Sequence, residues 1–340
     1  MELWTGKRLG VDAAKELFVY DDIFSNDELN EKLAAFGSEA TAFYYDFKEQ
    51  ESRISRLKQS LSSIESCHDA SVLVAKARLV KSVAEIRAIK KALSITKKAH
   101  HQAMQVSKKL RYEYELQAEI EYIFKKNGAY SDAYTSIVAC ANAANTLHYI
   151  SNEKKLLKGA LILIDAGCEY EYYASDITRT IPVSGRFSKA QKELYSLVLS
   201  VNKEIIKMIR PGVLRSELQN RSEELLCRGM IKLGILHGNV SELLEAKAHK
   251  KYYPHGIGHW MGLDVHDECP YKDEKGKEIP LQAGMVLTIE PGLYLDEGDK
   301  SVPKKYRGTG IRIEDNILVT KEGYENLSFD IAKEIEEIES

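Results

Sequence analysis

The chain has 340 residues, 44% of them apolar and 29% charged, with a net charge of −3. That is the composition of a globular protein with ample core, long enough for one large domain or two. It offers no basic footprint for nucleic acid, and no apolar run approaches the roughly 20 residues of a membrane span. The first residues, MELWTGKRLG, lack the apolar centre of a signal peptide. Five cysteines lie far apart at 67, 140, 168, 227 and 269, which is neither a disulfide framework nor a CxxC site. A reducing, cytoplasmic compartment is expected.

In chain order, residues 1–81 read as a mixed α/β piece. Leu17 to Tyr20 is a short strand candidate. Leu29 to Phe36 and Gln50 to Ile64 carry helical spacing, and Ala42 to Tyr45 suits a strand. The Ser/Cys/His/Asp cluster at 66–71 reads as a loop, and His68 within it has no expected role. Ser82 with Glu85 forms a capping box that opens a helix to about Val106, so a domain boundary is placed between 81 and 82. His100 and His101 are adjacent in that helix and point in different directions, which argues against a shared metal. A second helix runs from about Tyr114 to Lys126 and stops at Gly128. Tyr134 to Ala139 follows as a strand, then a loop of small residues leads to His148. Ser188 with Gln191 opens a third helix, ending before Pro211-Gly212; a fourth spans Ser216 to Lys232. The final third alternates strands (284–290 and 310–319) with polar turns, and the acidic tail from Glu334 is expected to fray.

Residues 161–180, LILIDAGCEYEYYASDITRT, organise the rest. The apolar run Leu161–Ile164 ends in Asp165. Asp176, Thr178 and Thr180 then alternate with Ile177, Arg179 and Ile181, as strand residues do. An antiparallel hairpin with its turn at Tyr170–Glu171 would set Asp165 opposite Asp176, with Cβ atoms about 4.5–5.5 Å apart. Two carboxylates so close repel each other unless a cation stands between them. The alternative is an exposed Asp beside a turn and a second on a solvent face.

Three further stretches carry donor side chains. His255-Gly-Ile-Gly-His259 is too glycine-rich for a helix but lets its backbone approach something closely; His266 follows after an alternating apolar run. Glu290 ends the apolar strand MVLTIE, as Asp165 ends its own; a buried ionisable group there is costly unless paired. In GIRIEDN, Arg312 and Glu314 are two apart in a strand and share a face; a buried ion pair would account for them. Together, four carboxylates and one imidazole make a hard, anionic donor set. It suits a pair of Mn²⁺, Co²⁺ or Fe²⁺ ions rather than a thiolate zinc site. Hydrolysis by a bridging hydroxide is the chemistry of such a pair.

The stretches LILIDAGCEYEYYASDITRT, HGIGHWMGLDVHD, GMVLTIEPGLY and YRGTGIRIEDNI resemble those of the pita-bread metallopeptidases, which include methionine aminopeptidase, prolidase, aminopeptidase P and creatinase. The Xaa-Pro aminopeptidase branch is the most similar, over about residues 82–330. The resemblance implies an α+β chain: a pita-bread (creatinase/aminopeptidase) catalytic domain at 82–340, preceded by a partial α/β N-terminal domain at 1–81. It implies two divalent metal ions, Mn²⁺ above Co²⁺ or Fe²⁺, held by Asp165, Asp176, His259, Glu290 and Glu314. Glu290 would also shuttle the proton; His266 would donate to the oxyanion and His148 to the scissile amide. His255, Arg312, Trp260 and Tyr294 would line the substrate pocket. The implied partners are peptides with Pro at the second position, with neither nucleic acid nor a membrane, and a homo-oligomer is compatible. The implied reaction is hydrolysis of the N-terminal Xaa-Pro bond. The alternatives are prolidase, confined to dipeptides, and a non-catalytic pita-bread binding module, which typically loses the ligands. The opening ELWTGKRLGVDAA is similar to the middle of the family's first domain, so that domain's first strands are expected to be missing.

Overall fold

The computed structural model describes residues 2–38, 40–47, 55 and 65–340. The chain divides into two compact units, Met1–Ala75 and Lys76–Ser340. No helix among the described residues is long and apolar enough to cross a membrane.

In the first unit, short helices α1 (Glu2–Thr5), α2 (Val11–Leu17) and α3 (Leu29–Gly37) precede strands β1 (Ala42–Tyr45) and β2 (Ser66–Asp69). Leu17 closes a helix, so the strand expected from it does not form. The 66–69 segment is a strand rather than a loop. It pairs in parallel with β1, and His68 stacks on Tyr44 with ring centroids 4.9 Å apart. That pairing partner lies more than twenty residues away, which local composition does not report. All of the expected helix at 50–64 but Ser55 falls outside the described residues.

Helix α4 (Ser71–Leu79) leads on to α5 (Val83–Val106). Ser82 caps α5: its hydroxyl accepts from the Glu85 amide while Glu85 accepts from the Ser82 amide. The buried face of α5 recurs at Ala88, Ala92, Ile95, Ala99 and Ala103. The four alanines let α6 (Glu113–Lys126) pack closely, with Leu116, Ile120 and Phe124 facing in. The remaining elements are β3 (Ser131–Asp132), β4 (Ile137–Cys140), β5 (Leu161–Asp165), β6 (Cys168–Tyr170), β7 (Tyr173–Ala174), β8 (Thr178–Pro182), α7 (Lys189–Met208), α8 (Arg215–Lys232), α9 (Val240–Glu245), β9 (Val286–Ile289), β10 (Gly292–Leu295), β11 (Thr309–Arg312), β12 (Asp315–Val319), β13 (Tyr324–Asn326) and α10 (Ile335–Ile338). Four small antiparallel sheets result, with strand orders β4-β5-β8, β3-β6-β7, β13-β12-β9 and β10-β11. Strands β5 and β8 are buried throughout.

The organising hairpin forms with a shifted register. Leu161 pairs with Pro182 and Asp165 with Thr178, so Asp165 does not oppose Asp176. The turn is at Glu171–Tyr172, one residue later than expected, with φ of 50° and 67°. Two successive positive φ values are the mark of a type I′ turn. Neither residue is glycine, so nothing in the composition announces it. The acidic tail does not fray either. Ile338 is buried, Glu334 and Glu337 cap α10, and Glu339 accepts from the Phe187 amide at 2.9 Å.

Candidate metal centre and active site

Asp176 lies in the gap between β7 and β8, where the hairpin crosses from one sheet to another. Gly167 faces it from the matching break between β5 and β6. A Cβ on Gly167 would sit 1.8 Å from the Ser175 carbonyl oxygen, so only glycine permits this approach. The Asn316 side chain then grips the buried peptide that the strand break leaves unpaired: its Oδ1 accepts from the Asp176 amide at 3.1 Å, and its Nδ2 donates to the Asp176 carbonyl at 2.5 Å. Gly258 does the same service for the histidine loop. A Cβ there would lie 1.9 Å from the Thr288 carbonyl oxygen. The loop is laid against β9, with the Thr288 amide donating to the His259 carbonyl and the Glu290 amide to that of Ile257.

These breaks converge on one cavity of roughly 460 Å³. Asp165, Asp176, His259, Glu290, Glu314, His148, His255, His266 and Arg312 all line it, together with Tyr134, Thr135 and the apolar Ile137, Leu147, Ile150 and Val265. Two expected pocket residues are placed elsewhere. Trp260 is 1% exposed and belongs to the core, stacked on Tyr271 at 5.6 Å, so it is not a wall of the cavity. Tyr294 stands behind the wall, buried, with its hydroxyl between His255 and Arg312. Nor do Arg312 and Glu314 share one strand: β11 ends at Arg312 and β12 begins at Asp315. Arg312 pairs with Asp165, Nη2 to Oδ2 at 2.5 Å.

Hydrogen bonds assign the two loop histidines different states. Arg312 Nη1 donates to the Tyr294 hydroxyl at 2.8 Å, so that hydroxyl is free to donate to His255 Nε2, also at 2.8 Å. His255 Nδ1 then donates to the Gly256 carbonyl. Both ring nitrogens are used and the ring is neutral. Burial, then the Arg312 charge, pulls its pKa down to about 3. His259 differs. Its Nδ1 donates to the Trp260 carbonyl at 3.0 Å, while Nε2 faces Asp176 Oδ2 at 3.2 Å and Glu290 Oε1 at 3.8 Å. Burial lowers its pKa, but the bond to Asp176 and the carboxylate charges prevail and lift it to about 9. Nε2 thus points where positive charge is wanted, and its other nitrogen is anchored to a carbonyl, as in a metal-ligating imidazole.

The carboxylates tell the same story. Burial pushes Glu290 up to about 7 against the pull of His259 and Arg312. Burial, then repulsion from Asp176 and Glu290, lifts Glu314 well above the carboxylate range. Asp165 is raised by burial despite Arg312. Burial also opposes ionisation of Asp176, but the His259 hydrogen bond and charge outweigh it and hold that carboxyl low. Among the residues lining the cavity, four carboxylates face a single guanidinium. Donor atoms of Asp176, His259 and Glu314 lie within 4.8 Å of one another, close enough to share one ion. Hard oxygen donors, one imidazole nitrogen turned toward them and excess negative charge fit divalent cations.

Two contributors escaped the sequence reading. The Tyr134 hydroxyl stands 2.6 Å from both Asp165 Oδ1 and Asp176 Oδ1. It has one hydrogen, so it donates to one of the two carboxylates at a time. Thr178 takes a proton-donating role toward Glu314 Oε2 at 2.8 Å while accepting from Arg312 Nε at 3.1 Å. Thr178 shares the alternating face of Asp176, which was a signal; Tyr134 had none.

Residues 87–321 match the model of metallopeptidase family M24. The chain belongs to metallopeptidase family M24. Its fold is the pita-bread fold of that family. This M24 chain is 40% identical over 350 residues to the Xaa-Pro aminopeptidase of Escherichia coli, covering 100% of this chain and 79% of that one. It is 39% identical over 340 residues to the Xaa-Pro aminopeptidase of Haemophilus influenzae, covering 100% and 78%. Among solved structures it resembles an aminopeptidase from Pseudomonas aeruginosa, with a TM-score of 0.95, 38% identity, and coverage of 99% of this chain and 79% of the other. A zinc-substituted aminopeptidase P from Escherichia coli in complex with product has a TM-score of 0.93 at 39% identity, with the same coverage.

Proposed function

We propose that this M24 chain is a metal-dependent aminopeptidase that hydrolyses the N-terminal Xaa-Pro bond of peptides. The observation that carries the reading is the meeting, in one cavity, of four carboxylates and an imidazole whose Nε2 is turned toward them. The names of the relatives, at about 39% identity over the whole chain, supply the substrate class.

Asp165, Asp176, His259, Glu290 and Glu314 would hold two divalent cations, with Mn²⁺ proposed and Co²⁺ or Fe²⁺ next. When bound, such ions activate water at neutral pH and polarise a carbonyl. Glu290 takes the proton of the attacking water and returns it to the leaving nitrogen. His266, on the exposed rim with its ring 4.3 Å from that of His259, donates to the oxygen that gains charge. His148, also on the rim, bonds the substrate amide. The Arg312–Tyr294–His255 chain holds its members rigid, so the wall is set before substrate arrives. Proline as second residue has no amide hydrogen to satisfy and a compact apolar ring, and Leu147, Ile150 and Val265 offer it apolar surface. A cytoplasmic location belongs to this reading, supported by five unpaired cysteines, four of them buried.

The test is metal analysis of the purified chain together with turnover of Xaa-Pro-Yaa peptides and Xaa-Pro dipeptides. Bound Mn²⁺ and cleavage of the longer peptides are expected. Cleavage confined to dipeptides would make the chain a prolidase, and no cleavage of either would refute the reading.

A further inference from the structure

Helix α7 carries none of the site's donor groups, yet one buried side chain on it reaches the frame of the site. Asn202 is 0% exposed, amid the apolar Leu194, Val198, Leu199, Val201, Ile205 and Ile206. Burying an amide is costly unless its hydrogen bonds are remade. Asn202 remakes them at particular places. Its Nδ2 donates to the Ile289 carbonyl at 3.1 Å and to the Ile313 carbonyl at 3.3 Å. These are the carbonyls immediately before Glu290 and Glu314. β9 ends at Ile289, and Ile313 falls between β11 and β12, so both lie where a strand gives out. Asn202 Oδ1 accepts from Lys333 Nζ at 3.1 Å. The same ammonium pairs with Asp315, the residue after Glu314, which also pairs with Arg179 at 3.0 Å.

The orientation of the amide follows from chemistry. Carbonyls only accept and an ammonium only donates, so the oxygen must face Lys333 and the nitrogen the two carbonyls. One NH₂ group has two hydrogens, enough for both. Asn202 lines no part of the cavity and touches neither carboxylate side chain.

We propose that Asn202 is a positioning residue that fixes the separation of Glu290 and Glu314 by tying together the two peptide units that carry them, with Lys333 locking the amide in the required sense. The inference rests on the reading that these two carboxylates hold divalent cations. Outer partners of metal ligands characteristically change affinity by about 10–100-fold when removed.

The experiment compares Asn202→Leu, Asn202→Asp and Lys333→Met with Tyr195→Phe. Tyr195 lies two turns earlier on the same buried face, and its hydroxyl donates to the Lys333 carbonyl at 2.8 Å. Its loss removes a buried hydrogen bond without touching the strand ends. Each full-length chain is stripped of metal by a chelator, Mn²⁺ is titrated calorimetrically, and melting temperature is recorded separately. Both Asn202 variants are expected to bind Mn²⁺ about 10–100-fold more weakly than the wild type, and Lys333→Met about tenfold more weakly. Tyr195→Phe should melt earlier yet bind Mn²⁺ within about twofold of the wild type. Wild-type Mn²⁺ affinity in either Asn202 variant, whatever its melting temperature, overturns the proposal, as does an equal affinity loss in Tyr195→Phe. Should the Asn202 variants fail to fold, wild-type affinity in Lys333→Met overturns it instead. A wild-type chain that binds no Mn²⁺ removes the metal reading itself, and that result is distinct from retained binding in the variants.

Discussion

His100 gives the structure's most calculable prediction. It sits in α5, 1% exposed, with Nε2 donating to the Ala166 carbonyl at 3.0 Å, between Asp165 and Gly167. Burial, against the help of that hydrogen bond, drops its pKa from 6.5 to about 3. In the unfolded chain the ring titrates near 6.5. Above that pH neither state holds the proton, and His100 contributes no pH dependence. As pH falls below 6.5 the unfolded chain gains a proton that the folded chain refuses, so stability declines by about 1.4 kcal/mol per unit until about pH 3. Between pH 7.5 and pH 5 the loss from this one residue is about 2 kcal/mol. Gln at position 100 can still donate to the Ala166 carbonyl but does not titrate. Urea unfolding of metal-free wild type and His100→Gln at both pH values isolates the effect, because His255 and every other titrating group are common to both. The wild type should lose about 2 kcal/mol more than the variant on acidification. Parallel pH dependence in the two proteins would refute the argument, since it would mean that His100 protonates as readily folded as unfolded.

Four further outcomes are expected. Gly167→Ala should destabilise by about 3 kcal/mol in urea unfolding, because the added Cβ meets the backbone oxygen of Ser175, which has no rotamer by which to withdraw. Tyr134→Phe should weaken divalent-ion binding by about 10–100-fold in calorimetric titration, since the hydrogen bond from the phenol to the Asp165–Asp176 pair is lost; unchanged binding would make its hydroxyl a bystander. Excess chelator should lower the melting temperature and Mn²⁺ should restore it, because without cations the clustered carboxylates repel one another. Glu290→Gln should lose turnover far beyond any loss of peptide binding, read as a fall in kcat with KM little changed; a near-wild-type kcat would remove it from the proton-carrying role.

The sequence was legible where local physics decides. Ser82 and Ser188 cap their helices through Glu85 and Gln191, as their spacing predicted. The buried run Leu161–Asp165 is a strand, and Glu290 follows directly on another. Atypical turn residues conceal the register. Glu171 and Tyr172 both adopt positive φ without glycine, and a one-residue error there moves the partner of Asp165 by two positions. Trp260 follows His259 in sequence but turns to the opposite side, into the core, because a glycine-rich loop imposes no periodicity from which to read a direction. Spacing allowed a simple Arg312–Glu314 ion pair as one alternative, but Arg312 lines the cavity and pairs with Asp165, 147 residues away, which only the tertiary fold can specify. For the same reason the convergence of Asp176, His259 and Glu314 followed from family resemblance and not from spacing.

The tie between Asn202 and Lys333 has a consequence for the far end of the chain. All the proposed cation donors lie at or before Glu314, yet the ammonium that orients the Asn202 amide belongs to Lys333, nineteen residues later. A chain cut between the two would keep each donor and lose the lock on the amide. On the proposal made for Asn202, a segment that lines no part of the cavity thus bears on how well the cavity holds an ion.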